Sequence, residues 1–292
     1  MSSSTVPVLF DTPGPRARRN SVLWSLVALA AIGYVLWLGG RQLAENGQFD
    51  SELWAPLFDP SHEDFNVVWQ RIGEGFLANI KAAGIAMVLS LAIGTFLALT
   101  RVTAARGVRW FVVGFIELFR GIPVVIAIFF AFRVLPEFGI DLDTLWFLII
   151  GLTAYNSVVI AEIVRAGISA VPSGQREAAL AVGLTSRQTL NIVLLPQAVR
   201  IMLPALISQL VVVLKDTALG FIIAYDELVA TARRIGQIFD NPLQSLFVAA
   251  VIFIVVNMAL SWFATYLERR LSRGSRRAAA EVVATGDAVT GA

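Results

Sequence analysis

The chain has 292 residues, of which 57% are hydrophobic and only 15% charged, with a formal net charge of +2 and no cysteine. Soluble domains carry roughly 25% charged residues, so this balance excludes an ordinary soluble fold. Without cysteine, neither a disulfide framework nor a thiolate metal site is available.

The missing charge is concentrated. No charged residue lies between Arg19 and Arg41, Lys81 and Arg101, Asp143 and Glu162, or Asp240 and Glu268. Each interval approaches or exceeds the ~20 residues that cross a bilayer as a helix. In lipid, only helices and closed barrels satisfy their own backbone. Continuous apolar runs, rather than alternation, select helices. The sequence therefore predicts an all-α membrane protein with six spans.

Residues 1–21 form a tail ending in Arg16, Arg18 and Arg19. The first span, Val22–Leu38, is long, holds two tryptophans and lacks a small-x-small cleavage site, so it reads as a retained helix rather than a signal peptide. With the acidic loop that follows, where His62 is expected to be solvated, it makes a segment 22–75. Span two, Phe76–Thr100, carries Lys81, expected to snorkel to the interface. Span three, Trp110–Phe132, contains Glu117 and Arg120, three apart on one helix face. They read either as a self-neutralising pair or, with Gly121 and Pro123, as a gate or bend. Span four, Leu145–Arg165, holds Asn156 and Ser157 at mid-depth and a second i,i+3 pair, Glu162 with Arg165. The polar residues serve either a neighbouring helix or a pathway, and Gln209 in span five, Val199–Leu214, has the same two readings. Lys215 and Asp216 follow, either as a neutralising pair at a helix end or as partners for the charges of an amino acid. The apolar piece Thr217–Tyr225 is too short to span. It is expected to be partly re-entrant beside a water-filled cavity. Span six, Ser245–Leu267, closes a segment 76–268. Residues 269–292 form a basic tail, expected to be disordered.

Arginines cluster before span one, between spans two and three, between four and five, and after six, whereas the other loops lean acidic. The positive-inside rule then puts both termini in the cytoplasm and residues 48–64 outside the cell membrane. The basic balance is explained by these span ends and does not call for nucleic acid.

The loop between spans four and five contains "GQREAALAVGLTSRQ", from Gly174 to Gln188. Pro172 and Ser173 can start a helix and Gly183 can end it. Thr185, with Gln188 three residues on, has the capping-box pattern of a second helix. Glu177, Ala178, Ala179, three residues, Gly183, nine residues, then Val193-x-Leu195-Pro196 resembles the "EAA" loop of ATP-binding-cassette importer permeases, with valine in place of isoleucine. "ELFRGIPVV" from Glu117, "AEIVRAGISAVPSGQ" from Ala161 and "LKDTALG" from Leu214 are similar to the polar-amino-acid branch of that family. The start "FDTPGPRARRN" and the extra first span resemble actinobacterial glutamate-uptake permeases.

The resemblance implies a type I importer permease: a five-helix core plus one extra N-terminal helix. It implies that Glu177, Ala178, Ala179, Gly183 and Pro196 belong to a coupling loop that docks on a cytoplasmic ATPase dimer. It also implies an extracytoplasmic amino-acid-binding protein and a sister permease subunit, an unlike one being favoured. Glutamate, glutamine or aspartate is the implied substrate, with a basic amino acid or an opine as the alternative within the family. No Walker-type motif is present. The chain is therefore expected not to be an enzyme and to hold no cofactor, ATP and magnesium being bound by the ATPase. A stand-alone secondary transporter would call for charged relays deep in several spans or an inverted repeat. The sequence displays neither. A membrane anchor without a pathway is the third class.

Overall fold

A computed structural model describes the backbone of residues 14–290 and the side chains as far as residue 267. Every regular element in that range is helical. The chain divides into two units, Met1–Ala55 and Pro56–Ala292.

In the first unit, helix α1 (Pro15–Glu45) is long and apolar enough to cross a membrane and buries none of its residues. Arg41 pairs with Glu45 at 2.7 Å near its end. A short helix, α2 (Ser51–Phe58), follows in the acidic loop and runs into the second unit.

The second unit is a helical bundle. Helix α3 (Phe65–Thr103) starts well before the expected Phe76 and ends three residues past Thr100. The third span is not one helix. It is α4 (Arg106–Gly121) and α5 (Val124–Val134), the latter prolonged by a 3-10 turn over Pro136–Phe138, and the two pieces meet at 99°. Proline at 123 has no N–H to donate and pushes the preceding residue out of the α region. Ile122 is accordingly extended, at φ −88° and ψ 125°. The straight span Trp110–Phe132 is thus corrected to a broken one, and the bend read at Gly121 and Pro123 is present.

Helix α6 (Thr144–Ser169) is the centre of the bundle. In its most apolar stretch 67% of residues are buried, as expected for a helix that is hydrophobic all round. Asp143 caps it by accepting from the Leu145 amide at 2.9 Å. Helices α3, α5 and α9 pack on it. Gly151 allows α5 to come close: a Cβ there would lie 2.4 Å from the Ile128 Cα. Small residues at membrane helix contacts serve this purpose.

Helix α7 (Ser173–Ala181) and a short α8 (Ser186–Gln188) follow. The latter continues through a π-helical stretch, Thr189–Leu194, into α9 (Leu195–Asp216). A 3-10 segment (Thr217–Ile223) extends the same rod, so the membrane-crossing helix runs from Ser186 to Ile223 rather than from Val199 to Leu214. Pro196 explains the π stretch: its ring crowds the carbonyl four residues back, and the wider coil relieves that clash. An amphipathic helix not expected from the sequence, α10 (Leu228–Ile238), lies between this rod and α11 (Pro242–Thr290). Only 17% of the apolar stretch of α11 is buried, which leaves most of it exposed on the outside of this chain. The backbone of α11 continues helical to Thr290 where a disordered tail was expected; Ala278, Ala279 and Ala280 favour helix there. The tail's basic side chains lie outside the described residues, as do residues 1–13.

Candidate functional site

The loop between α6 and the long rod folds as a helix, a turn and a second helix start. Helix α7 ends in a Schellman motif: the Leu184 amide donates to the Ala179 carbonyl at 3.2 Å and the Gly183 amide to the Leu180 carbonyl at 3.0 Å. Gly183 has φ +86°, a left-handed conformation that costs an ordinary residue energy. A Cβ added there would meet nothing within 4 Å in this chain. Thr185 then forms a capping box with Gln188, the Gln188 amide donating to Thr185 Oγ1 at 3.3 Å and the Thr185 amide to Gln188 Oε1 at 2.9 Å. Ala179 is buried and holds α7 to the bundle, while Glu177 and Ala178 are exposed. Leu180 is 41% exposed and Val182 78%, which is unusual for apolar residues in a polar loop. Pro196 is exposed in the first turn of α9.

The polar groups at mid-depth pair with each other. Gln209 Nε2 donates to Asn156 Oδ1 at 2.6 Å, joining α9 to α6. Asn156 Nδ2 donates to the Leu152 carbonyl at 2.8 Å, and Ser157 Oγ to the Ala154 carbonyl at 3.2 Å. Asn156 and Ser157 are buried between helices rather than set in a cavity. Asn156 thus serves a neighbouring helix, while Ser157 bonds within its own.

Glu162 does pair with Arg165, at 2.7 Å, and is shared with Arg101 from the end of α3, a partner the sequence reading did not assign. Glu117 and Arg120 do not pair. Both are exposed on the outer face of α4, where the helix ends one residue after Arg120 and water or lipid headgroups can satisfy them.

No ion pair joins Lys215 to Asp216 among the described residues. Lys215 is exposed and lines an open groove of about 580 Å³ between the end of α9 and α11, with Phe253, Met258, Asn257 and Ser261. Asn257 Oδ1 is buried there without a hydrogen-bond partner. Asp216 is half-buried and turned away from this groove. In the piece Thr217–Tyr225, Thr217, Gly220, Ile223 and Tyr225 are buried against protein, while Ala218 lines the groove beside Lys215.

What holds that piece is a polar knot that sequence reasoning missed. Asn79 Nδ2 donates to Thr217 Oγ1 at 2.8 Å and to Glu227 Oε2 at 3.2 Å, and Asn79 Oδ1 accepts from the Leu228 amide at 3.0 Å. The Glu227 carboxylate also caps α10, accepting from Val229 and Ala230 at 2.9 and 2.7 Å. Burial pushes the Glu227 carboxyl above the usual range, against the pull of these donors. The only signals were a lone asparagine in an apolar run and an acid just before Leu228. His62 is half-buried, its Nδ1 accepting from the Asp64 amide at 3.2 Å. No group of three or more potential metal ligands occurs among the described residues.

Residues 90–273 match the family described as binding-protein-dependent transport system inner membrane component. The chain belongs to that family. This permease is 43% identical over 239 residues to the glutamate transport system permease protein GluD of Corynebacterium glutamicum, covering 80% of the chain and 85% of the relative. It is 35% identical over 213 residues to the probable glutamine ABC transporter permease protein GlnP of Bacillus subtilis, covering 72% and 96%. Among solved structures, an amino acid ABC transporter crystallised with histidines matches with a TM-score of 0.66 at 28% identity, over 69% of the permease and 94% of that chain. The permease is a multi-pass membrane protein, and its expected place among importer permeases of the polar-amino-acid type holds.

Proposed function

We propose that this permease takes up an acidic or amide amino acid, with glutamate favoured, as one membrane subunit of an importer driven by a separate ATPase dimer. Its 43% identity to a glutamate permease supports the substrate. Coupling is carried by one observation: a short helix closed by a left-handed glycine turn, with Leu180 and Val182 laid bare beside it. Such a surface suits a protein partner. Because α7 is tied to α6 on one side and to the long rod on the other, movement of the ATPase reaches two membrane helices at once.

In this reading both termini and the α7 turn are cytoplasmic, residues 48–64 are outside, and an external binding protein delivers the amino acid. The sister subunit is an unlike permease. ATP and magnesium belong to the ATPase. Lys215 offers its ammonium to a substrate carboxylate in the groove, where a cation without a paired acid, among mostly apolar walls, attracts an anion strongly. The test is uptake of labelled glutamate by vesicles holding the reconstituted complex, with glutamine, aspartate and arginine as competitors. Glutamate is expected to be the best competitor. Preference for arginine would move the permease to another substrate branch.

A further inference from the structure

Where α3 gives way to α4 and α6 to α7, a half-open cavity of about 1410 Å³ lies beside the coupling loop, whose Ser173, Arg176, Ser186 and Arg187 form part of its wall. Five arginines line it, each from a different helix: Arg101, Arg109, Arg165, Arg176 and Arg187. No aspartate or glutamate does. Glu162, beside it, answers Arg101 and Arg165 only. No acid pairs with Arg109, Arg176 or Arg187 among the described residues. Guanidinium groups converging on one space repel each other unless an anion sits among them.

A second, independent observation lies in the wall. Thr189 is 1% exposed, lines the cavity, and its Oγ1 has no hydrogen-bond partner. Buried hydroxyls are rarely left unpaired. This one lies just behind the cavity surface, closed to solvent, and donates to an anion held by the arginines once the wall gives. The remaining wall is mixed: Val102, Val113, Ile168 and Leu194 make an apolar strip, and Thr103, Ser169, Ser173, Ser186 and Asn191 a polar one. On α4, next to Arg109, Trp110 and Phe111 are 73% and 77% exposed, the aromatic signature of a membrane interface.

We propose that this cavity binds an anionic phospholipid, its phosphate among the arginines and Thr189 and its acyl chain along the apolar strip. Arginine forks match phosphate oxygens in pairs. Free phosphate would use the arginines and the polar strip but leave Val102, Val113, Ile168 and Leu194 wet, and the exposed Trp110 and Phe111 set the cavity beside lipid, which is why the lipid is the favoured source. The inference rests on the orientation proposed above, which sets this end of the bundle at the inner leaflet, where anionic lipids draw basic residues.

The experiment uses the complete complex, purified, stripped of lipid, and offered phosphatidylglycerol or phosphatidylcholine before native mass spectrometry. Wild type is expected to retain phosphatidylglycerol and not phosphatidylcholine. Arg109→Gln with Arg187→Gln is expected to reduce retention on the order of tenfold or more, from the loss of two cations. Thr189→Val, which keeps the side-chain shape and so guards against a folding artefact, is expected to reduce it several-fold. Equal retention of both lipids, or unchanged retention in the double variant, overturns the proposal. Displacement of the lipid by millimolar inorganic phosphate overturns the lipid as the source and assigns the site to a free anion. Loss of the ATPase from the double variant with lipid retention intact overturns it in favour of a protein partner. Glutamate uptake is measured on the same samples. Absent uptake with lipid retained removes the proposed substrate and leaves this site standing, while Ser61→Cys labelling tests the orientation separately.

Discussion

Gln209 on α9 donates to the side-chain oxygen of Asn156 on α6 across 2.6 Å, and Asn156 is fully buried. Removing either partner leaves the other with an unmet bond in the bundle. Asn156→Ala and Gln209→Ala are each expected to lower stability by about 1 kcal/mol, with a double-mutant coupling of about 0.6–1.7 kcal/mol. Thermal melting of the purified complex measures it. Strictly additive losses would show that the bond is not made.

Glu162 should distinguish its two arginines. Arg165 lies on the same helix, and its side chain is 38% exposed, so that pair contributes only a few tenths of a kcal/mol. Arg101 reaches across from α3 with 21% of its side chain exposed. Arg101→Gln is therefore expected to lower the melting temperature more than Arg165→Gln. The reverse order in parallel melts would mean that the inter-helix link is the weaker one.

At Gly183 the left-handed backbone penalises any L side chain by roughly 1–2 kcal/mol. Within this chain the space is open, so alanine and leucine should cost stability about equally. They should part company in the complex. Gly183→Ala is expected to impair, and Gly183→Leu to abolish, ATPase stimulation by loaded binding protein, while insertion survives both. Full stimulation with leucine would reduce α7 to a connector.

Lys215 lines its groove without a paired acid. Lys215→Met should cut uptake at least tenfold if the ammonium holds a carboxylate, since a hydrogen bond to a charged group contributes about 1.5–3 kcal/mol. ATPase co-purification should be unchanged. Normal uptake kinetics would remove the lysine from the pathway.

Single-cysteine labelling is clean in a chain without cysteine. A Ser61→Cys variant is expected to react with an impermeant reagent in intact cells. Reaction only after permeabilisation would invert the orientation.

The parts legible in the sequence were those written locally. Gly183, Thr185 and Gln188 fix a turn and a cap from residues at most five apart, and the structure holds both. Pro123 announced a break but not its 99° angle, because packing of α5 on α6 sets the angle. The illegible parts are long-range. Asn79 meets Thr217 and Glu227 across 138 and 148 residues, and Arg101 meets Glu162 across 61. No period or spacing in one sequence links such positions. Helix α10 escaped notice because its start is capped by Glu227, a residue that reads as an ordinary loop acid.

From Ser186 to Ile223 the chain is one helical rod, 38 residues long. At about 1.5 Å per residue it spans some 57 Å, more than the thickness of a bilayer. One end starts at the Thr185 cap and the other carries Lys215. A stiff beam of that length turns a small angle into a large stroke: ten degrees of tilt about the capped end sweeps the far end by about 10 Å. Two soft joints interrupt it, the π stretch at Thr189–Leu194 and the proline at 204. In the coupling proposed above, the gearing between the α7 end and the groove is set by how much either joint yields, so stiffening a joint is expected to change the stroke with the groove residues untouched.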